Sequence, residues 1–318
     1  MNWSILEKKK RDYSKEYFTF VNTSRNPLSV QLKLISTVQT LNYKLSNSED
    51  WLTSTALTIG VGEEVQLKGG YGQNSYSGIG TFSVNGGTFD IKGNIMSLLY
   101  GDDFEGQTFL TDKMMMFWRL FYNCTTLVNA NELILPTTNL RNNCYSNMFE
   151  GCTSLTSAPE LLATTLAESC YSNMFEGCTS LTSAPELPAT KLNVYCYSGM
   201  FRNCISLTTA PELPATTVTQ YEYGSYSNMF EGCTSLTSAP VLPITMLTYD
   251  SYSYMFKGCN NLSKITMLAT DISASSCLSN WVSGVSSSGT FIKHPSMTSL
   301  PNGINGIPEG WTVEDYKG

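Results

Sequence analysis

Apolar and polar positions follow two different rhythms along this chain. In the C-terminal two thirds, one phrase recurs almost unchanged. Cys144-Tyr-Ser-Asn-Met-Phe-Glu-Gly-Cys-Thr-Ser-Leu-Thr-Ser-Ala-Pro-Glu-Leu starts again at Cys170, Cys196, Ser225 and Ser251, at spacings of 26, 26, 29 and 26 residues. The three extra residues fall near Tyr221–Gly224. A weaker copy runs from Leu120 to Leu127 around Cys124, and a decayed one from Cys277 to Gly284. A fixed period in this range is the mark of a solenoid, because one unit is too small to bury its own apolar face and must stack on its neighbours.

Within a unit, Cys144, Met148, Phe149 and Cys152 fall at i, i+4, i+5 and i+8, the apolar stripe of a short helix. Gly151 and its equivalents Gly177, Asn203, Gly232 and Gly258 form a Gly/Asn column, which reads as the left-handed residue that ends that helix. Leu155-Thr-Ser-Ala158, closed by Pro159, reads as a short strand. Leu161 and Leu166 then return the chain under the next turn. Before the repeats, from about Tyr13 to Gly93, the period changes to two: Phe18-Thr-Phe20-Val, Val30-Gln-Leu32-Lys-Leu34, Val65-Gln-Leu67-Lys and Thr81-Phe82-Ser-Val84. Turn signals at Asn26-Pro27, Gly69-Gly70 and Asn85-Gly86-Gly87 separate six to eight strands, the spacing of an antiparallel sandwich.

The expected class is therefore mixed: a small N-terminal β-sandwich followed by a leucine-rich-repeat-like α/β solenoid of about six 26-residue turns with a C-terminal cap. The expected divisions are an arm at 1–12, a sandwich at 13–110, a solenoid at 111–276 and a capping segment at 277–318.

The column Phe149, Phe175, Phe201, Phe230 and Phe256 resembles the phenylalanine spine of leucine-rich repeats. Met-Phe-x-Gly-Cys-Thr-Ser-Leu-Thr-Ser-Ala-Pro-Glu-Leu-Pro-Ala-Thr is similar to the BspA-like branch of that family, over roughly Met114–Asp271. The segment Asn280-Trp-Val-Ser-Gly-Val to Gly306-Ile-Pro-Glu-Gly-Trp311 resembles the tail that closes such arrays, and Gly93-Asn-Ile-Met-Ser-Leu-Leu-Tyr-Gly-Asp102 their lead-in. The resemblance implies surface-displayed interaction proteins of Bacteroides-type gut bacteria, and tail- or fibre-associated proteins of their phages and prophages.

Composition narrows this further. A net charge of −7 argues against a nucleic-acid-binding body. No apolar run reaches the 18 or so residues of a membrane span. The start, Met-Asn-Trp-Ser-Ile-Leu-Glu-Lys-Lys-Lys-Arg, puts its basic run after a very short apolar patch, the reverse of a secretory signal. The ten cysteines all fall in two repeat columns: Cys144, Cys170, Cys196 and Cys277 in one, Cys124, Cys152, Cys178, Cys204, Cys233 and Cys259 in the other. Two helical turns, roughly 12 Å, would separate Cys144 from Cys152, too far for a disulfide. The first column changes to Ser at Ser225 and Ser251. Reduced, buried core cysteines are expected, which implies folding in a reducing compartment.

Chemistry-bearing motifs are sparse. Gly69–Gly80 is glycine-rich but lacks both phosphate-binding spacings and reads as a hairpin loop. The single histidine, His294, precedes Pro295 in the capping segment. No enzymatic activity is expected. Two repeat columns are the candidate binding strip: Tyr145, Tyr171, Tyr197, Tyr226 and Tyr252, whose rings could stack on sugars but whose spacing favours packing between turns with the hydroxyl at the surface; and Glu132, Glu160, Glu186 and Glu212, which ends at Val241. At a strand spacing near 4.8 Å, such carboxylates would repel unless solvent, amide capping or a cation compensated, with calcium the plausible cation. No other cofactor is expected.

These readings lead to a non-enzymatic structural or receptor-binding protein of a phage virion or phage-like particle, assembled in the bacterial cytoplasm. Its N-terminal region would dock to other virion proteins, and its repeats would face a host-surface protein or glycan. A bacterial cell-surface adhesin of the BspA-like type is the alternative.

Overall fold

The computed structural model describes residues 12–34, 40–70, 78–110, 114–219 and 221–318. The arm, apart from Asp12, and the centre of the glycine-rich loop lie outside them.

Alternating apolar residues build two sheets at the N-terminal end. The strands are β1 (Phe18–Asn22), β2 (Leu28–Leu34), β3 (Thr40–Leu45), β4 (Leu52–Thr53), β5 (Ala56–Ile59), β6 (Glu64–Gly70), β7 (Gly80–Asn85) and β8 (Phe89–Asn94). One sheet has the order β5-β2-β7; the other runs β4-β3-β6-β1-β8 and continues into β9 (Leu127–Ile134), a strand of the repeat region. Pairing is antiparallel throughout, except that β9 lies parallel to β8. Phe82 of β7 meets Phe20 of β1 edge-on at 5.0 Å and Phe18 at 6.1 Å, so the two sheets share one apolar interior. A four-residue helix, α1 (Ser97–Tyr100), follows β8. Ser97 Oγ donates to Leu67 O of β6 and accepts from Phe18 N of β1, pinning that helix to the sheet.

The repeats correct the expected α/β class. Among the described residues the one α-helix is α1; the segments expected to be helical are not helices. In the unit at Cys144, residues Asn143, Asn147 and Gly151 take φ of 57°, 57° and 75°. The same every-fourth-residue pattern recurs at Ser169, Asn173 and Gly177, and at Gly224, Asn228 and Gly232. A right-handed helix cannot contain a left-handed residue in every turn. Instead, alternate amides serve two purposes. Met148 N and Cys152 N close local turns onto Tyr145 O and Phe149 O, at 3.2 and 3.0 Å. Tyr145, Asn147, Phe149 and Gly151 N donate one coil onward to Cys170, Ser172, Met174 and Glu176 O, at 2.7–3.0 Å. The element is thus a ladder of four-residue turns, hydrogen-bonded sideways. It buries the expected stripe of 144, 148, 149 and 152, and Tyr145 and Ser146 with it.

The opposite side of each coil is extended. In the middle coils it is reduced to isolated parallel bridges such as Asn129↔Ser157 and Ser183↔Thr209. Prolines 159, 185 and 211 sit just beyond, and each removes the donor that a longer ladder would need. Towards the C-terminus the ladder becomes a parallel sheet of β10 (Ser238–Leu242), β11 (Lys264–Met267), β12 (Thr290–Lys293) and β13 (Thr312–Asp315). The β10–β11 register shifts between Ser238 and Val241, around Pro240. The registers Lys264↔Thr290↔Thr312 show that the closing segment adds further coils to the stack. Trp281 and Trp311 anchor it by donating Nε1 to Gly306 O at 2.9 Å and Ser286 O at 2.8 Å.

A column of phenylalanine rings runs through the core. Phe121, Phe149, Phe175, Phe201, Phe230 and Phe256 stack at 5.5–5.8 Å with planes within 9° of parallel, and the column ends on Trp281. Phe121 also meets Phe82 at 5.6 Å, which joins the column to the N-terminal core. All ten cysteines are free and buried. The six of the second column each donate the thiol to a phenylalanine carbonyl of an earlier coil or, for Cys124, to Phe82 O, at 3.0–3.2 Å. Burial pushes these thiols far above the ordinary range, Cys124 and Cys259 to about 12.

Candidate functional site

Tyr145, Tyr171, Tyr197, Tyr226 and Tyr252 lie inside the solenoid. Each is at most 2% exposed, and their rings form a second stacked column at 5.8–6.1 Å. The expectation that their hydroxyls reach the surface is overturned: those of Tyr145, Tyr197 and Tyr252 are buried with no hydrogen-bond partner among the described residues. Burial raises the pKa of all five phenols. The turn ladder swings position 145 inward together with 144, 148 and 149, and each ring stacks on that of the next coil from Tyr145 to Tyr252. Such a column holds coils together and offers nothing to a sugar.

The glutamate row is not one continuous feature. Glu132 lies in β9, in register with Lys92 of β8. It faces Asp90, whose carboxyl is held above its ordinary value by burial first and by Glu132 second. Glu160, Glu186 and Glu212 are exposed in the irregular segment after the prolines. Glu160 and Glu186 rim a shallow groove of about 490 Å³ with Leu161 and Leu162. Among the described residues, no group of three His, Cys, Asp or Glu side chains gathers to hold a metal.

A different row of charges runs along the turn ladder, at the position after the phenylalanine. Arg202 lies between Glu176 at 3.1 Å and Glu231 at 3.8 Å, and Lys257 reaches Glu231 at 2.9 Å. Burial pulls Glu231 upward, but Asn228, Lys257 and Arg202 outweigh it and hold the carboxyl below its ordinary value. Glu176 is raised, chiefly by burial, against the pull of Arg202.

The surface feature with chemistry of its own is a tyrosine cluster at the three-residue insertion. Tyr221, Tyr223 and Tyr249 are 72%, 38% and 51% exposed. Tyr223 meets Tyr195 at 5.4 Å and Tyr249 at 6.2 Å, both edge to face, so the rings point different ways instead of covering each other. The backbone prepares the arrangement. Tyr195 N donates to Tyr223 O at 3.1 Å and Gly224 N to Tyr249 O at 3.0 Å, which ties the corners of three successive coils together. Gly224 has φ of 61°, and a Cβ there would lie 2.1 Å from Tyr195 Cε1, so the ring can rest on the backbone only over glycine. Inside the insertion, Glu222 folds its carboxylate onto Thr219 N at 2.7 Å, and Glu222 O accepts from Ser225 Oγ and Thr248 Oγ1. The phenol of Tyr195 is raised by burial first, then by Asp250, Tyr223 and Tyr249.

This cluster escaped the sequence reading, which noted the insertion near Tyr221–Gly224 only as a break in period. The usable signal was there: Tyr221 falls in the insertion, and Tyr223 and Tyr249 share a position, two before Ser225 and Ser251, whose earlier equivalents Asn142, Glu168 and Val194 lie outside the apolar stripe. Comparison with family models, curated proteins and solved structures finds no match to this chain.

Proposed function

We propose that this protein is a non-enzymatic structural and receptor-binding component of a phage virion or phage-like particle. Its sheeted N-terminal region would dock to other particle proteins, and its coils would carry a preformed contact surface outward. The observation that carries the reading is the exposed, braced tyrosine cluster on a stack whose core runs from Phe82 to Trp281. A stiff support with aromatic side chains already ordered loses little conformational entropy when a partner arrives. Ten buried, free thiols suit assembly in a reducing cytoplasm and weigh against the alternative, an exported cell-surface adhesin. The motif resemblance described above fits either setting. Mass spectrometry of purified particles and of outer-membrane fractions separates them: the chain is expected in particles, and its recovery only with outer membranes would overturn the virion reading.

A further inference from the structure

We infer that Tyr195, Tyr221, Tyr223 and Tyr249, with Glu222 and Asp250, form a receptor site for an arginine or lysine side chain of a protein partner. The inference rests on the binding reading above and gives its contact a chemistry.

Three observations converge. First, the rings are exposed and mutually edge to face, so aromatic faces remain open, in contrast to the parallel columns of the core. An aromatic face carries negative electrostatic potential and attracts a cation above it. Second, the surroundings carry unbalanced negative charge. From Asn203 to Phe256 the chain has no Lys or Arg, while Glu212, Glu222 and Asp250 in that stretch have no salt bridge among the described residues. The bracketing cations are already engaged: Arg202 by Glu176 and Glu231, Lys257 by Glu231. Third, the chain seats its own cations on several partly exposed aromatics. Lys44 and Lys68 lie over Trp51, Arg119 over Trp118 and Tyr122, and Lys257 over Tyr254. Among the described residues no cation sits over the rings of the tyrosine cluster, which Glu222 and Asp250 adjoin along the chain. A neutral sugar would use the rings but has no use for the charge; an anionic ligand would be repelled.

The test is calorimetric titration of the full chain with a blocked six-residue peptide alternating glycine and arginine, and with its counterpart in which neutral citrulline replaces arginine. The arginine peptide is expected to bind at least about tenfold more tightly, and its binding to weaken as salt rises. Tyr249→Ala and Asp250→Asn should each weaken it about fivefold or more. Both positions suit a clean reading, since Tyr249 is exposed and Asp250, at φ 62°, tolerates asparagine. Unchanged melting temperatures in both variants would exclude a folding effect, and Glu160→Gln, remote in the repeat, should bind as the parent does. Equal binding of the two peptides, or arginine binding indifferent to both variants, overturns the inference. So does preferential binding of neutral oligosaccharides that Tyr249→Ala abolishes; that result would leave the receptor-binding reading standing. Particle fractionation tests that reading separately.

Discussion

At the scale of the residue, a buried group is decided by what its neighbours accept. Cys178 is fully buried and donates to Phe149 O at 3.2 Å, a carbonyl that also accepts from Cys152 N. A serine there finds an acceptor waiting, so Cys178→Ser should cost only about 1 kcal/mol. Cys178→Leu should cost about 1–3 kcal/mol by overpacking. Urea melts of the two variants check the order. The glutamates of the charged row offer a test of sign. Glu231 has a lowered pKa, so the unfolded chain binds that proton first; the stability it contributes is complete above the ordinary carboxylate range and is lost as pH falls through it. Glu176 has a raised pKa, so its charged form costs stability, and that cost is relieved as pH falls. Melting curves between about pH 6 and pH 3 should therefore show a shallower acid loss for Glu231→Gln and a steeper one for Glu176→Gln. Slopes changing in the same direction would contradict the assignment.

At the scale of the element, the turn ladder and the helix make opposite demands. Asn173 sits at φ 53°. In a helix, replacing it by glycine would be worse than replacing it by valine. In the ladder, Asn173→Gly should be within about 0.5 kcal/mol of the parent, and Asn173→Val should cost roughly 1–3 kcal/mol, because a β-branched residue resists the left-handed region. Thermal unfolding decides between the two orders, and far-ultraviolet circular dichroism should lack a strong helical band. The helix was a reasonable expectation, since positions 144, 148, 149 and 152 carry its stripe. What distinguishes the ladder is a second period, Asn143, Asn147 and Gly151, again spaced by four. Taken alone, its last column, Gly151 and its equivalents, looks like a single helix cap. Left-handed tolerance at one position looks the same whether it ends a helix or recurs in every turn.

At the scale of the molecule, the coils share two ring columns, yet each bonds only to its neighbours. Phe175→Ala opens a cavity between Phe149 and Phe201, 5.5 and 5.7 Å away, and should cost about 3–5 kcal/mol. Deleting the whole unit Cys144–Ser169 joins Asn143 to Cys170 in the same column position. It should cost less than the single substitution, because the next coil takes its place. Differential scanning calorimetry of both variants is the check; unfolding of the deletion variant at the lower temperature would end the modular picture. The deletion leaves Tyr195, Tyr223 and Tyr249 untouched, so it should also retain the arginine-peptide binding proposed above.

The repeat period, the stacking of coils, the phenylalanine spine and the burial of the cysteines were legible from residues alone, because all follow from which side chains shun water and how often they return. Three things were not. The direction of hydrogen bonding, sideways to the next coil instead of along the chain, depends on a partner 25 residues away, which no local pattern encodes. The side to which each tyrosine points depends on the turn geometry: the column of Tyr145 went inward, and Tyr223 and Tyr249, two positions before Ser225 and Ser251, went outward with Tyr221 of the insertion. The neighbours of each charge depend on stacking across coils, which set Arg202 between two glutamates and Lys257 against Glu231. Composition and period count residues; only the folded chain decides which of them meet.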